Sequence, residues 1–291
     1  MGQQATGQHL PGDGEGVRAM TFTGLVPESR DTWQAAIADA QAMPVCGDGP
    51  ETRMAVPPSW MKVENQGPIN SCSANGMTSC AEKCEYARTK KAVQLSRWFQ
   101  YVRSEVYTYG QAGRDQGATL SAALRVGREV GFVTEQDVPY PTGGYDRNRM
   151  QFSREIIESA ETRKITSTIS LAAGYSAWRT LLGKDIGAVL LGMYWPVQLD
   201  SRCFATRVPT GGGGHAIAGL FLADTSDANG NPDVWILNSH STSFGLNGWF
   251  KVTRSFIEDL QSRDDFGNVG VSDMSVPGPR VVDWARRELI C

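Results

Sequence analysis

The sequence predicts an α+β protein, helical in its first half and strand-rich in its second. Two observations carry that expectation. Apolar residues recur at helical spacing from Cys72 to Leu124. From Val189 to Val252 they fall instead into short runs bounded by Gly, Asn and Pro. No internal repeat relates the two halves.

The elements follow in order. Residues 1–55 carry little periodic apolar pattern, and Pro57-Pro58 closes them off. They read as an N-terminal extension, either a propeptide or a docking arm. Met77, Cys80, Ala81 and Cys84 define a helix opening at Cys72, with Asn70 and Ser71 as candidate caps. Leu95, Trp98, Phe99, Val102 and Val106 form a second helical stripe. Leu120, Ala123 and Leu124 begin a third, which Gly131 would cap. Strands are expected around 189–191, 216–223, 234–237 and 249–252. Residues 227–231 read as a hairpin turn, because Pro232 stands where a calcium loop needs glycine and no glutamate closes such a loop. Residues 262–291 read as a C-terminal extension with a short amphipathic piece near 282–289.

Composition excludes several classes of function. With 28 basic and 31 acidic residues the net charge is −3, which argues against a nucleic-acid partner. No apolar run approaches the roughly 18 residues of a membrane span. The N-terminus has neither the basic start nor the apolar stretch of a secretory signal, so the expected location is cytoplasmic or virion-associated. Six cysteines at irregular spacing, beside three histidines, make neither a disulfide framework nor a zinc site, and no cofactor or metal is expected. Cys80 and Cys84 read as small buried residues on one helix face.

Cys72 stands apart because it opens a helix. Backbone N–H groups and the helix dipole favour an anion there, so its thiol should ionise easily. A histidine partner would complete a nucleophile, and His215 is the best placed of three: it follows four glycines and begins an apolar strand. Asn238, at the end of the next strand, could orient the His215 ring. Gln66 and the Cys72 N–H could stabilise an oxyanion.

These residues carry a resemblance. The segment Gln66-Gly-Pro-Ile-Asn-Ser-Cys72 resembles the nucleophile segment of papain-like cysteine peptidases. Gly213-Gly-His215-Ala-Ile resembles their histidine segment, and Trp235-Ile-Leu-Asn238-Ser with Gly248-Trp-Phe their asparagine segment. The order Cys, His, Asn is the family's, and His215 lies 215 − 72 = 143 residues after Cys72, inside the usual interval of about 130–150. Leu95-Ser-Arg97, Asp115-Gln-Gly117 and Gly131-Phe132 are most similar to a bacterial, xylellain-like branch.

The resemblance implies a peptidase domain over 56–261. A helical lobe (about 66–155) would precede a β-barrel-like lobe (about 156–261), with the active-site cleft between them. It implies thiol-dependent hydrolysis of peptide bonds, with Cys72, His215, Asn238 and Gln66 catalytic. Gln116, Gly117 and Gly214 would bind a peptide or protein substrate. Two departures stand out. Ile69 replaces the cysteine of a common disulfide, and His240 replaces the tryptophan that covers the His–Asn hydrogen bond. Alternatives are a catalytically weak structural or binding protein of the same fold, such as a phage virion component, and a peptidoglycan-peptide hydrolase. The two extensions would then serve assembly partners.

Overall fold

The computed structural model describes residues 24–42, 50–263 and 266–277. Its hub is α2 (Cys72–Thr89), buried without a break from Cys72 to Glu85. Such a helix needs apolar or small residues all round and partners for its charges. Cys80, Ala81 and Cys84 face the core. Glu82 pairs with Arg97 at 3.2 Å, Glu85 with Arg163 at 3.3 Å and Arg88 with Asp273 at 3.1 Å. Lys83 donates to the Gly187 carbonyl at 2.5 Å.

On one side of α2 lie the other helices of the first half. These are α3 (Arg97–Tyr109) and α4 (Leu120–Arg125), around a core of Ile69, Trp98, Phe99 and Val102. Ser96 and Thr119 cap them by accepting from the N–H groups of Phe99 and Ala122. α4 runs into a π-turn over Val126–Val130 and stops at Gly131, whose φ of +101° suits glycine. A short α5 (Arg154–Ala160) closes this side.

On the other side of α2 is a sheet of order β1-β3-β8-β4-β5-β6-β7. The strands are β1 (Gln41–Ala42), β3 (Ile165–Ser170), β4 (Ala188–Trp195), β5 (Gly213–Ser226), β6 (Pro232–Leu237), β7 (Trp249–Val252) and β8 (Asn268–Met274), while β2 (Arg53–Met54) adds to β5. β4 and β5 are antiparallel, with Met193 opposite His215. Among the described residues no pairing joins β1 to β7, so the expected barrel-like lobe is an open sheet. Helices α6 (Tyr175–Gly183) and α7 (Arg254–Arg263) cover its far face over Trp178, Leu181 and Ile257. The turn at 227–231 joins β5 to β6, held by the Asp227 carboxylate.

Both segments read as extensions contribute to this fold. β8, from the C-terminal one, lies inside the sheet between β3 and β4. From the N-terminal one, α1 (Arg30–Ala36) buries Trp33 against Gly267, and Glu28 accepts from the N–H and hydroxyl of Ser121. The piece near 282–289 lies outside the described residues. Among them, no helix is long and apolar enough to cross a membrane.

Candidate active site

α2 and β5 bring the predicted residues together. Cys72 is the first residue of α2. Its thiol lies within hydrogen-bonding influence of the N–H of Ala216, the residue after His215 on β5, and of the Ser73 N–H. The caps expected ahead of it work elsewhere. Ser71 makes no side-chain cap; its hydroxyl bonds to the Tyr140 hydroxyl at 2.6 Å and accepts from Asn75 at 3.0 Å.

His215 Nε2 meets Asn238 Oδ1 at 2.8 Å, with both residues buried. Asn238 Oδ1 also accepts from the Ser239 N–H at 2.8 Å, which fixes the amide so that its oxygen faces the ring. The contact makes Nε2 the protonated nitrogen of a neutral His215. Gln66 joins this loop. Its N–H donates to the Ser239 carbonyl at 2.8 Å, and its side-chain oxygen accepts from the Ser239 hydroxyl at 2.6 Å. Its amide nitrogen donates to the Ile69 carbonyl at 2.8 Å, which occupies one of its two hydrogens.

His240 covers the His215 ring. Its ring stacks on that of His215 at 4.6 Å between centroids and 28° between planes. Trp195 packs against both, at 4.6 Å from His215 and 5.3 Å from His240. Trp195 was not expected at the site; it ends an apolar strand and reads in sequence as core.

The cleft is occupied by the chain itself. Gly24, Leu25 and Val26 run between the two walls. Leu25 N–H donates to the Gly214 carbonyl (3.1 Å), Val26 N–H to the Ala118 carbonyl (3.1 Å), and Ala118 N–H to the Gly24 carbonyl (3.0 Å). The fit leaves no room for side chains. A Cβ on Gly117 would stand 2.2 Å from the Gly24 oxygen, and one on Gly214 2.4 Å from the Leu25 oxygen. A Cβ on Gly24 would meet the Asn70 oxygen at 2.7 Å and the Cys72 sulfur at 3.0 Å. Gly117 and Gly214 therefore do flank an extended segment. Gln116 is set apart, with its side chain exposed, and Ala118 makes the wall's hydrogen bonds instead.

This strap corrects the expectation of an easily ionised thiol. Cys72 and His215 are fully buried, and burial disfavours charge on each. The Cys72 thiol is pushed up to about 12, against the smaller help of the N–H groups of Ala216 and Ser73. His215 is pushed down to about 4 by burial, although Asn238 opposes the shift. His240 falls to about 3, through burial and then its neighbour His215. Burial thus favours the neutral thiol at Cys72 and the neutral imidazole at His215.

Comparison with known proteins gives the fold its place. No protein-family model and no curated protein sequence matches the chain. Solved structures do. Xylellain, a cysteine protease from Xylella fastidiosa, superposes with a TM-score of 0.61 at 19% identity, over 87% of this chain and 94% of that one. The fold is that of the papain-like cysteine proteases. ProCathepsin B S9 from Trypanosoma congolense gives 0.57 at 14% identity, over 89% and 85%. The cysteine protease and lectin-like domains of Cwp84 from Clostridium difficile give 0.60 at 14% identity; there the match spans 87% of this chain but only 61% of the other.

Proposed function

We propose that the chain is a thiol-dependent peptidase, here in a self-blocked form. The observation that carries the reading is the His215–Asn238 hydrogen bond at 2.8 Å, beside a thiol that opens a helix, at the floor of a cleft that already holds extended backbone. Such a cleft suits a peptide, because its walls offer Gly214 and Ala118 as main-chain partners.

In the reaction, the Cys72 thiol passes its proton to the His215 nitrogen not engaged by Asn238. The sulfur attacks the peptide carbonyl carbon, and the resulting oxyanion is met by the Cys72 N–H and the second hydrogen of the Gln66 amide. The C–N bond breaks as His215 returns its proton to the leaving amine. Water then gives a proton to His215 and attacks the thioester, which releases the acid and restores the thiol. Asn238 keeps the His215 ring aimed throughout.

The test uses a chain whose strap is loosened by Leu25→Ala. It is expected to hydrolyse a fluorogenic peptide, and adding Cys72→Ala should abolish that activity. A loosened chain that is alkylated at Cys72 but cleaves neither casein nor cell-wall peptides would favour a silent structural or binding role. Cleavage of cell-wall peptides alone would assign it to peptidoglycan cross-links.

A further inference from the structure

The loop that leads into Cys72 is clamped from one side by a single acidic residue. Asp115 Oδ1 accepts from the Asn70 N–H at 2.9 Å and from the Tyr101 hydroxyl at 2.8 Å. The Asp115 carbonyl accepts from the Asn70 side-chain amide at 2.8 Å. The Tyr101 oxygen in turn accepts from the Gly117 N–H at 3.1 Å, and Tyr101 is itself fully buried. One carboxylate, one hydroxyl and one amide thus tie the nucleophile loop at Asn70 to the cleft wall at Gly117. Both ends face the occupied cleft: the Asn70 oxygen abuts Gly24, and Gly117 abuts the Gly24 carbonyl. Asp115 holds a left-handed backbone, with φ of +50°, which Asn, Asp and Gly adopt more readily than other residues. With Ile69 in this loop, a covalent brace through that position is not available to the chain.

We propose that Asp115 is a positioning residue, which acts through Asn70 and Tyr101 to hold the loop that presents Cys72 in a fixed place relative to the Gly117 wall. The proposal rests on the reading of Cys72 as the nucleophile. Hydrogen-bond geometry at Oδ1, rather than negative charge, is what positions the loop, so an asparagine can replace it. A glycine cannot, although glycine suits the same backbone angle.

The experiment compares Asp115→Asn and Asp115→Gly in the full chain carrying Leu25→Ala. The rate of Cys72 alkylation by iodoacetamide is followed against pH, with Cys203 as internal reference. Asp115→Asn should stay within about threefold of the parent. Asp115→Gly should move the profile's midpoint upward, because a freed loop no longer holds the sulfur at the N–H groups of Ala216 and Ser73, and a rise of about one pH unit slows alkylation at pH 7 about tenfold. Equal profiles for Asp115→Gly and the parent would overturn the proposal. So would equal losses in both variants, which would point to charge or to general folding. If the parent also hydrolyses peptide, the loss in Asp115→Gly should fall on kcat more than on KM. A parent that is alkylated but hydrolyses nothing would refute the peptidase reading and leave the alkylation comparison decisive for Asp115.

Discussion

Leu25 holds the strap in place, and shortening it should expose Cys72. Its side chain is 2% exposed and packs where Gly192, Gly214 and Phe266 meet. A Leu→Ala change at a buried site costs about 2–5 kcal/mol. The strap is short and can relax, so the lower end applies, about 2–3 kcal/mol. Opening exposes this residue, so the whole difference enters the opening equilibrium. At 1.4 kcal/mol per factor of ten, Cys72 should become accessible about 30- to 150-fold more often. The assay is alkylation under native conditions, read by peptide mapping. The protein supplies its own controls. Cys203 is partly exposed and should label equally in both chains, while Cys80 and Cys84 are buried against the sheet and should label only on global unfolding. Faster labelling of Cys72 alone is the expected result. An unchanged rate would refute the inference that residues 24–26 gate the thiol. Acceleration at Cys80 and Cys84 as well would show that the change loosens the whole fold.

Further predictions follow from the same geometry. Gly117→Ala places its Cβ 2.2 Å from the Gly24 oxygen and adds strain at φ +84°, so Cys72 should label faster; peptide cleavage should not rise with it, because the same methyl group obstructs a substrate. In 13C-histidine NMR of the full chain, the His215 and His240 signals should not titrate between pH 8 and 5, since both groups are depressed to about 4 and 3. For His215 the unfolded chain binds its proton near the ordinary 6.5 and the folded chain near 4. Stability from its burial is therefore complete above about pH 6.5, falls between 6.5 and 4, and declines by about 3 kcal/mol in all; His240 adds a loss of the same sign over that range, so urea titrations compared with and without His240→Phe would separate the two. Arg97→Leu leaves Glu82 buried without its partner at 3.2 Å and should cost about 3–5 kcal/mol in chemical denaturation.

Much of this site was legible because its residues sit at ends of strongly patterned elements. Cys72 precedes a run of small and apolar residues, and His215 and Asn238 bracket strands whose apolar content declares them. Their meeting is then a matter of α2 lying on β5, with β6 beside it. The strap was not legible, because three residues in extended form carry no period. Its one signal was a glycine, Gly24, ahead of the apolar pair Leu25-Val26. β8 was missed for a different reason. Val269 and Val271 do alternate, but Gly270 between them packs against Leu181 and Ile169, where a side chain would not fit. A strand buried on both faces thus reads as a weak, glycine-broken one. Ser71 misled in the opposite sense: a good cap by type, it spends its hydroxyl on Tyr140 and Asn75 instead.

The strap does more than fill space, because it adds to the burial that disfavours charge at Cys72. A helix N-terminus favours a thiolate, yet the Cys72 thiol is pushed well above its ordinary range, because desolvation outweighs the N–H groups that point at it. The same desolvation holds His215 neutral. Forming a thiolate–imidazolium pair under the strap would bury two charges, whereas lifting it would return water to the Cys72 sulfur, which Gly24 covers. Opening and ionisation are therefore one linked equilibrium. A mutation that loosens residues 24–26 should raise the intrinsic reactivity of the Cys72 thiol along with its accessibility, and a small thiol reagent should report more than steric relief.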